Sequence, residues 1–184
     1  MICRTRPHGL GRAGRPYGFT LIELMATVAV MGILAVVAVP AMAGLVHANR
    51  LAAANGNLTA ALQLARSEAI RRGASVTVCA STNGTTCANQ TAWTRWIVRG
   101  RDNAASAAGP EVIDIMRDET PAGNIALQGP AAGIRFRPSG MVDSEQALTV
   151  CIPSSYLTRN QRVVTVMLSG GLRTATPDNG GSCS

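Results

Sequence analysis

Few side chains in this sequence could do covalent chemistry, and their positions are uneven. The 184-residue chain holds two histidines, His8 and His47, and five cysteines, Cys3, Cys79, Cys87, Cys151 and Cys183. No Ser/His/Asp set suggests itself, because the histidines are too few and both lie toward the amino end. Ser169-Gly170-Gly171 is too short for a phosphate-cradling loop and lacks its lysine. The cysteines lack CxxC spacing and have no histidine near the last four, so neither a metal site nor a cofactor is indicated. These features exclude the common enzyme classes. What stands out instead is a lone carboxylate, Glu23, at the head of an uncharged apolar run from Leu24 to Val46.

A run of that length can cross a bilayer as a helix. An acidic side chain within it costs on the order of a few kcal/mol at mid-membrane and calls for a partner. Before it lies a basic, glycine-rich tail with Arg4, Arg6, Arg12 and Arg15. Such a tail is disordered by composition, and its charge holds the amino end in the cytoplasm. The remainder would then face outward, in the periplasm, behind a single-pass inner-membrane helix.

The stretch Gly18-Phe19-Thr20-Leu21-Ile22-Glu23 resembles the processing site of type IV pilins and type II secretion pseudopilins. That resemblance implies cleavage after Gly18 by a prepilin peptidase and N-methylation of the new terminus, Phe19. It implies that Glu23 pairs with the terminal amine of a neighbouring subunit, and that Pro40 bends the helix. Glycine suits a scissile position because its backbone can extend into a protease cleft without a side chain. A competing assignment is an ordinary secretory signal cut after Ala41-Met42-Ala43, which would release a soluble domain. The apolar run continues past those alanines to Val46, and Glu23 has no purpose in a disposable segment.

The formal charge of +7 overstates the mature protein, since every one of the seventeen Lys/Arg residues is arginine and four lie in the leader. Thirteen arginines against ten acids then leave +3. With Cys3 in the leader, four cysteines remain in an exported domain, where two disulfides are expected. Three pairings are open. Cys79–Cys87, closing a short polar loop, and Cys151–Cys183, tying down the tail, are favoured.

These residues must be positioned by a helix and a sheet. Helical signal runs from Thr20, with Gly32 tolerated, and becomes amphipathic past the membrane exit. Leu51, Leu58, Leu62, Ala65 and Ala69 share a face, while Asn57, Gln63, Arg66 and Arg71 do not. Asn55-Gly56 is a weak point, and Arg71, Arg72 and Gly73 form a stop signal. An unbroken helix from Thr20 to Arg72 would span roughly 80 Å, more than a small domain can bury. Strands are predicted at 75–80, 93–101, 111–116, 124–128, 133–137, 147–152, 163–168 and 172–175. The polar loop 81–91 and turns at 102–110 and 138–140 separate them. This gives an α+β fold: a long transmembrane helix packed on an antiparallel β-sheet head. The domains are a leader (1–18), a membrane stem (19–46), an amphipathic helix (47–72) and the head (73–184).

Residues 64–73, 76–79, 133–140, 148–151 and 163–171 extend the resemblance to the GspH/FimT family. It implies a minor pilin or pseudopilin, a structural subunit at the tip or initiation complex of a pilus or type II secretion pseudopilus. Its partners would be other pilin subunits, the peptidase and the inner membrane. Some relatives of this type bind DNA for uptake through a carboxy-terminal Gly-Arg-x-Arg stretch. The matching residues here are Gly170-Gly171-Leu172-Arg173, which keep one of the two arginines. Arg135, Arg137 and Arg173, with Arg159 and Arg162 nearby in sequence, are the candidate DNA contacts. A solvated sheet face explains the same arginines without DNA.

Overall fold

The computed structural model describes residues 18–101, 113–178 and 180–183. The leader up to Tyr17, with Cys3 and its arginines, and the turn at 102–110 lie outside the described residues. So do the first two residues of the strand predicted at 111–116.

A single helix, α1, runs from Leu21 to Arg72. Thr20 starts it, since its Oγ1 accepts the Glu23 N–H at 3.3 Å, the N-cap bond expected of threonine. Arg71, Arg72 and Gly73 end it, as the sequence predicts. Gly73 adopts φ +60°, which a side chain would resist, and its N–H donates to the Ile70 carbonyl at 3.3 Å. Asn55-Gly56 does not interrupt the helix. The chain divides into two compact units between Val39 and Pro40. In the first unit every described residue from Gly18 to Val39 is exposed.

In the second unit α1 buries Leu51, Ala54, Leu58, Ala61, Leu62, Ala65 and Ala69. Their three- and four-residue spacing lines them along one side of the cylinder. Among the described residues eight strands follow, in two antiparallel sheets rather than one. The first contains β1 (Val76–Ala80), β2 (Trp96–Arg101), β3 (Ile113–Glu119) and β5 (Ile134–Phe136), in the order β3-β2-β1-β5. The second contains β4 (Ala126–Gln128), β6 (Gln146–Cys151), β7 (Gln161–Val166) and β8 (Leu172–Ala175), in the order β4-β6-β7-β8. Hydrogen bonds from the Trp93 N–H to the Leu127 carbonyl and from the Val142 N–H to the Leu168 carbonyl tie the sheets together. A single core receives Val76, Val78, Trp96, Val98, Ile134 and Phe136 from the first sheet. Leu127, Leu148, Val150, Val164 and Val166 come from the second. Alternation places these side chains inward and Thr77, Arg99 and Arg135 outward.

The disulfides are Cys79–Cys87 and Cys151–Cys183, with sequence separations of 8 and 32. On loop-closure grounds the longer loop stabilises by about 4 kcal/mol and the shorter by about 2.5. The longer one brings the tail beside the 153–160 loop. There the Asn160 side-chain amide donates to the carbonyls of Ile152 at 3.0 Å and Ser182 at 2.9 Å. The same loop meets α1: His47 Nδ1 lies 2.8 Å from Ser154 Oγ, and the His47 and Tyr156 rings meet edge to face.

Candidate functional site

The amino-terminal stretch is exposed along its described length up to Val39. Gly18 has nothing within 4 Å of where a side chain would begin, and Phe19 is 83% exposed. The most apolar stretch of α1 reaches a mean hydropathy of 2.4 over eighteen residues and is wholly unburied. In water such a surface would be strongly unfavourable, at about 25 cal/mol per Å² of apolar area. Glu23 sits in the first turn, where the positive end of the helix dipole favours an anion. Its carboxylate makes no hydrogen bond or ion pair among the described residues, so it remains available to an incoming cation.

Among the described residues most of the head's acids are paired with arginines. Glu68 accepts from Arg71 at 2.6 Å and from Arg72 at 2.7 Å, and Arg72 reaches on to Asp114 at 2.7 Å. This network clamps the end of α1 to β3. Hydrogen bonds from Arg71, then from Arg72, hold the Glu68 carboxyl at about 2, well below its ordinary 4.5. Arg95 grips Asp118 with a 2.6 Å bond and lowers its pKa in the same way. Arg117 pairs with Glu119 at 2.7 Å. The helical spacing of Glu68 and Arg72 is readable from sequence, but Asp114 and Asp118 become partners only through the sheet.

The candidate DNA contacts do not converge. Arg137 is paired with Asp143. Arg173 lies on β8, in the second sheet, whereas Arg135 lies on β5, in the first. Thr77 pairs with both Arg135 and Arg99 across adjacent strands, so these two arginines share an outer face. They line a concavity of about 470 Å³ with Ser75 and Thr77. Arg162, on β7, donates to the carbonyl of Arg159 in the preceding loop at 3.1 Å. Trp93 and Trp96 are buried in the core and cannot stack on bases. Among the described residues no group of three or more His, Cys, Asp or Glu could hold a metal ion.

A long amino-terminal helix packed on antiparallel sheets and opening on a methylation signal defines the type IV pilin-like class, whose members are structural subunits rather than enzymes. The motif described as the prokaryotic N-terminal methylation motif matches residues 15–39. The family described as Type II transport protein GspH matches residues 54–171, and the chain belongs to that family. One similar solved structure is the type IV minor pilin FimU of Pseudomonas aeruginosa strain PAO1. It is 22% identical, with 69% of this chain and 89% of that chain covered and a TM-score of 0.50. Another is the minor pseudopilin EpsH from the Type 2 Secretion System of Vibrio cholerae, at 18% identity, 70% and 98% coverage and a TM-score of 0.48. No curated protein sequence matches.

The Glu68 network makes acid sensitivity predictable. A carboxyl whose pKa is depressed by folding stabilises the fold above its unfolded value, and loses that contribution as pH falls through the folded one. Stability of the full chain in detergent should therefore decline between pH 4.5 and about 2. Glu68→Gln should be less stable at neutral pH and show a shallower acid decline, measured by denaturant unfolding at a series of pH values. Parallel curves for the two proteins would contradict the assignment.

Proposed function

We propose that this chain is a minor pilin or pseudopilin that is cut between Gly18 and Phe19 by a prepilin peptidase and N-methylated on Phe19. Residues 19–46 then hold it in the inner membrane, with the head in the periplasm, until it is drawn into a filament at the tip or initiation complex. The observation that carries this proposal is the uncharged, exposed helix surface from Leu24 to Val39 with one carboxylate at its head, Glu23, that is unpaired among the described residues. The physical logic is an exchange of one apolar environment for another. In the bilayer the surface meets lipid, and in a filament it meets neighbouring helices, so it avoids water in both states. Gly32 has open space around it and would let a neighbouring helix approach closely.

Glu23 supplies what apolar contact cannot, a defined axial offset. Paired with a neighbour's terminal amine it is satisfied, and at any other offset it would be an unpaired acid in an apolar medium. Pro40 lacks a backbone donor and relaxes the helix there, which would let stem and head adopt the angle assembly requires.

The intact mass of the mature protein should correspond to a chain beginning at Phe19 with one added methyl group. A chain beginning at Gly44 would instead support the secretory signal. In filaments sheared from cells, Glu23→Ala should lower the amount of this subunit by at least about tenfold, with its membrane level unchanged. Unaltered incorporation would defeat the pairing role.

A second function, binding of duplex DNA for uptake, draws its support from the outward pair Arg99 and Arg135, since phosphate contact needs clustered cations. The pairing of Arg137 and the separate position of Arg173 weaken it. Filter binding by the full chain should be salt-sensitive and fall when Arg135 and Arg173 are both replaced. Absence of salt-sensitive binding would end this reading.

A further inference from the structure

Among the described residues Arg71, Arg72, Arg95, Arg117 and Arg137 are paired with acids, whereas Arg66 is not. It is half-buried on α1, and its Nε is buried without a hydrogen-bond acceptor among the described residues. The nearest acid along the helix, Glu68, is already engaged by Arg71 and Arg72. Two glycine turns approach that Nε. A side chain begun at Gly140 would lie 3.4 Å from Arg66 Nε and 2.7 Å from Ile70 Cδ1, and one begun at Gly170 would lie 3.0 Å from that Nε. Both glycines have positive φ, +76° and +74°. The two turns are joined by the Val142 to Leu168 backbone bond.

Arg66 borders an open cavity of about 370 Å³ lined also by Gln63, Ser67, Ile70 and Leu172. The helix and the two turns carry exposed apolar side chains at this edge: Ile70 (53% exposed), Met141 (47%) and Leu168 (52%). A buried guanidinium nitrogen without an acceptor is unfavourable, and the fork-like geometry of the group suits a carboxylate. Exposed apolar residues around a charged anchor are the composition of a protein interface. Nucleic acid would be read by several spread cations and would leave Ile70 and Leu168 unused.

We propose that this surface docks the head of a neighbouring filament subunit through an Asp or Glu side chain that enters the cavity at Arg66, with apolar residues of the partner covering Ile70, Met141 and Leu168. The proposal rests on the filament role above and gives that role a specific head contact. Specificity follows from the same chemistry: a partner without the acid would cover Arg66 and leave it unpaired.

The test is photo-crosslinking of the full chain in cells assembling the filament, with benzoylphenylalanine placed at Leu168 and, in a separate variant, at Val28 in the stem. The expected result is a Leu168 adduct whose partner peptide comes from another filament subunit and contains an acid beside apolar residues. Arg66→Gln should lower its yield by at least about fivefold, leaving the Val28 adduct and the disulfide-intact mobility unchanged. Arg66→Glu combined with reversal of the mapped acid to Arg should restore it. A Leu168 adduct that is absent, unaffected by Arg66→Gln, or formed with lipid or nucleic acid overturns the proposal. If Val28 captures sister subunits while Leu168 captures none, the head contact alone is wrong. If neither captures a subunit, the filament role fails and the head contact falls with it.

Discussion

A single helix in this protein has to satisfy two solvents, and most of the structure follows from that constraint. From Leu24 to Val39 it is apolar on every side and nothing in its own unit covers it. From Leu51 to Ala69 it is apolar along one stripe, and that stripe is buried. Apart from the bond that Pro40 cannot donate, the backbone is satisfied by the helix's own ladder, which is why one secondary structure can pass from an apolar medium to a watery one. Only the side chains change their allegiance.

The head turns the amphipathic half of the helix into a scaffold. Two antiparallel sheets supply the apolar surface that buries Leu58, Leu62 and Ala65, and the disulfides restrain the segments the core does not reach. Charge is used sparingly. Two acids of β3, Asp114 and Asp118, are spent on Arg72 and Arg95, which fixes the strand to the helix end and to the loop before β2. The formal positive charge of the chain is therefore a poor guide to its surface. Four of the seventeen arginines lie in the leader, and Arg71, Arg72, Arg95, Arg117 and Arg137 are paired with acids.

The helix was legible in the sequence at both ends because capping chemistry is local. Arg71, Arg72 and Gly73 act on their own turn, the apolar signal begins at Thr20, and the buried stripe follows from the helical period alone. Strands were legible for the same reason: Ile134, Phe136, Leu148 and Val150 alternate with outward polar neighbours. The division into two sheets was not legible. β5 and β6 are consecutive, yet β5 joins β1 and β6 joins β4 and β7. Nothing in either strand's alternation states which edge it will meet. The same limit applied to the arginines. Arg135, Arg137 and Arg173 look equivalent as residues, but pairing with Asp143 and placement in different sheets separate them. Arg66 looked like an ordinary solvated helix residue because the turns at Gly140 and Gly170 that bury its Nε come from distant parts of the chain.

The claim on which the rest depends is that residues 24–39 reside in an apolar medium while the stripe beginning at Leu51 is covered by the head. Nitroxide scanning of the full chain in lipid vesicles measures this position by position, as collision rates with oxygen and with a water-soluble relaxant. The account predicts oxygen-dominated accessibility at every position from Leu24 to Val39, without helical periodicity, and low accessibility to both reagents at Leu58 and Leu62. Free access of the water-soluble relaxant to Val28, Met31 and Leu34 would contradict it.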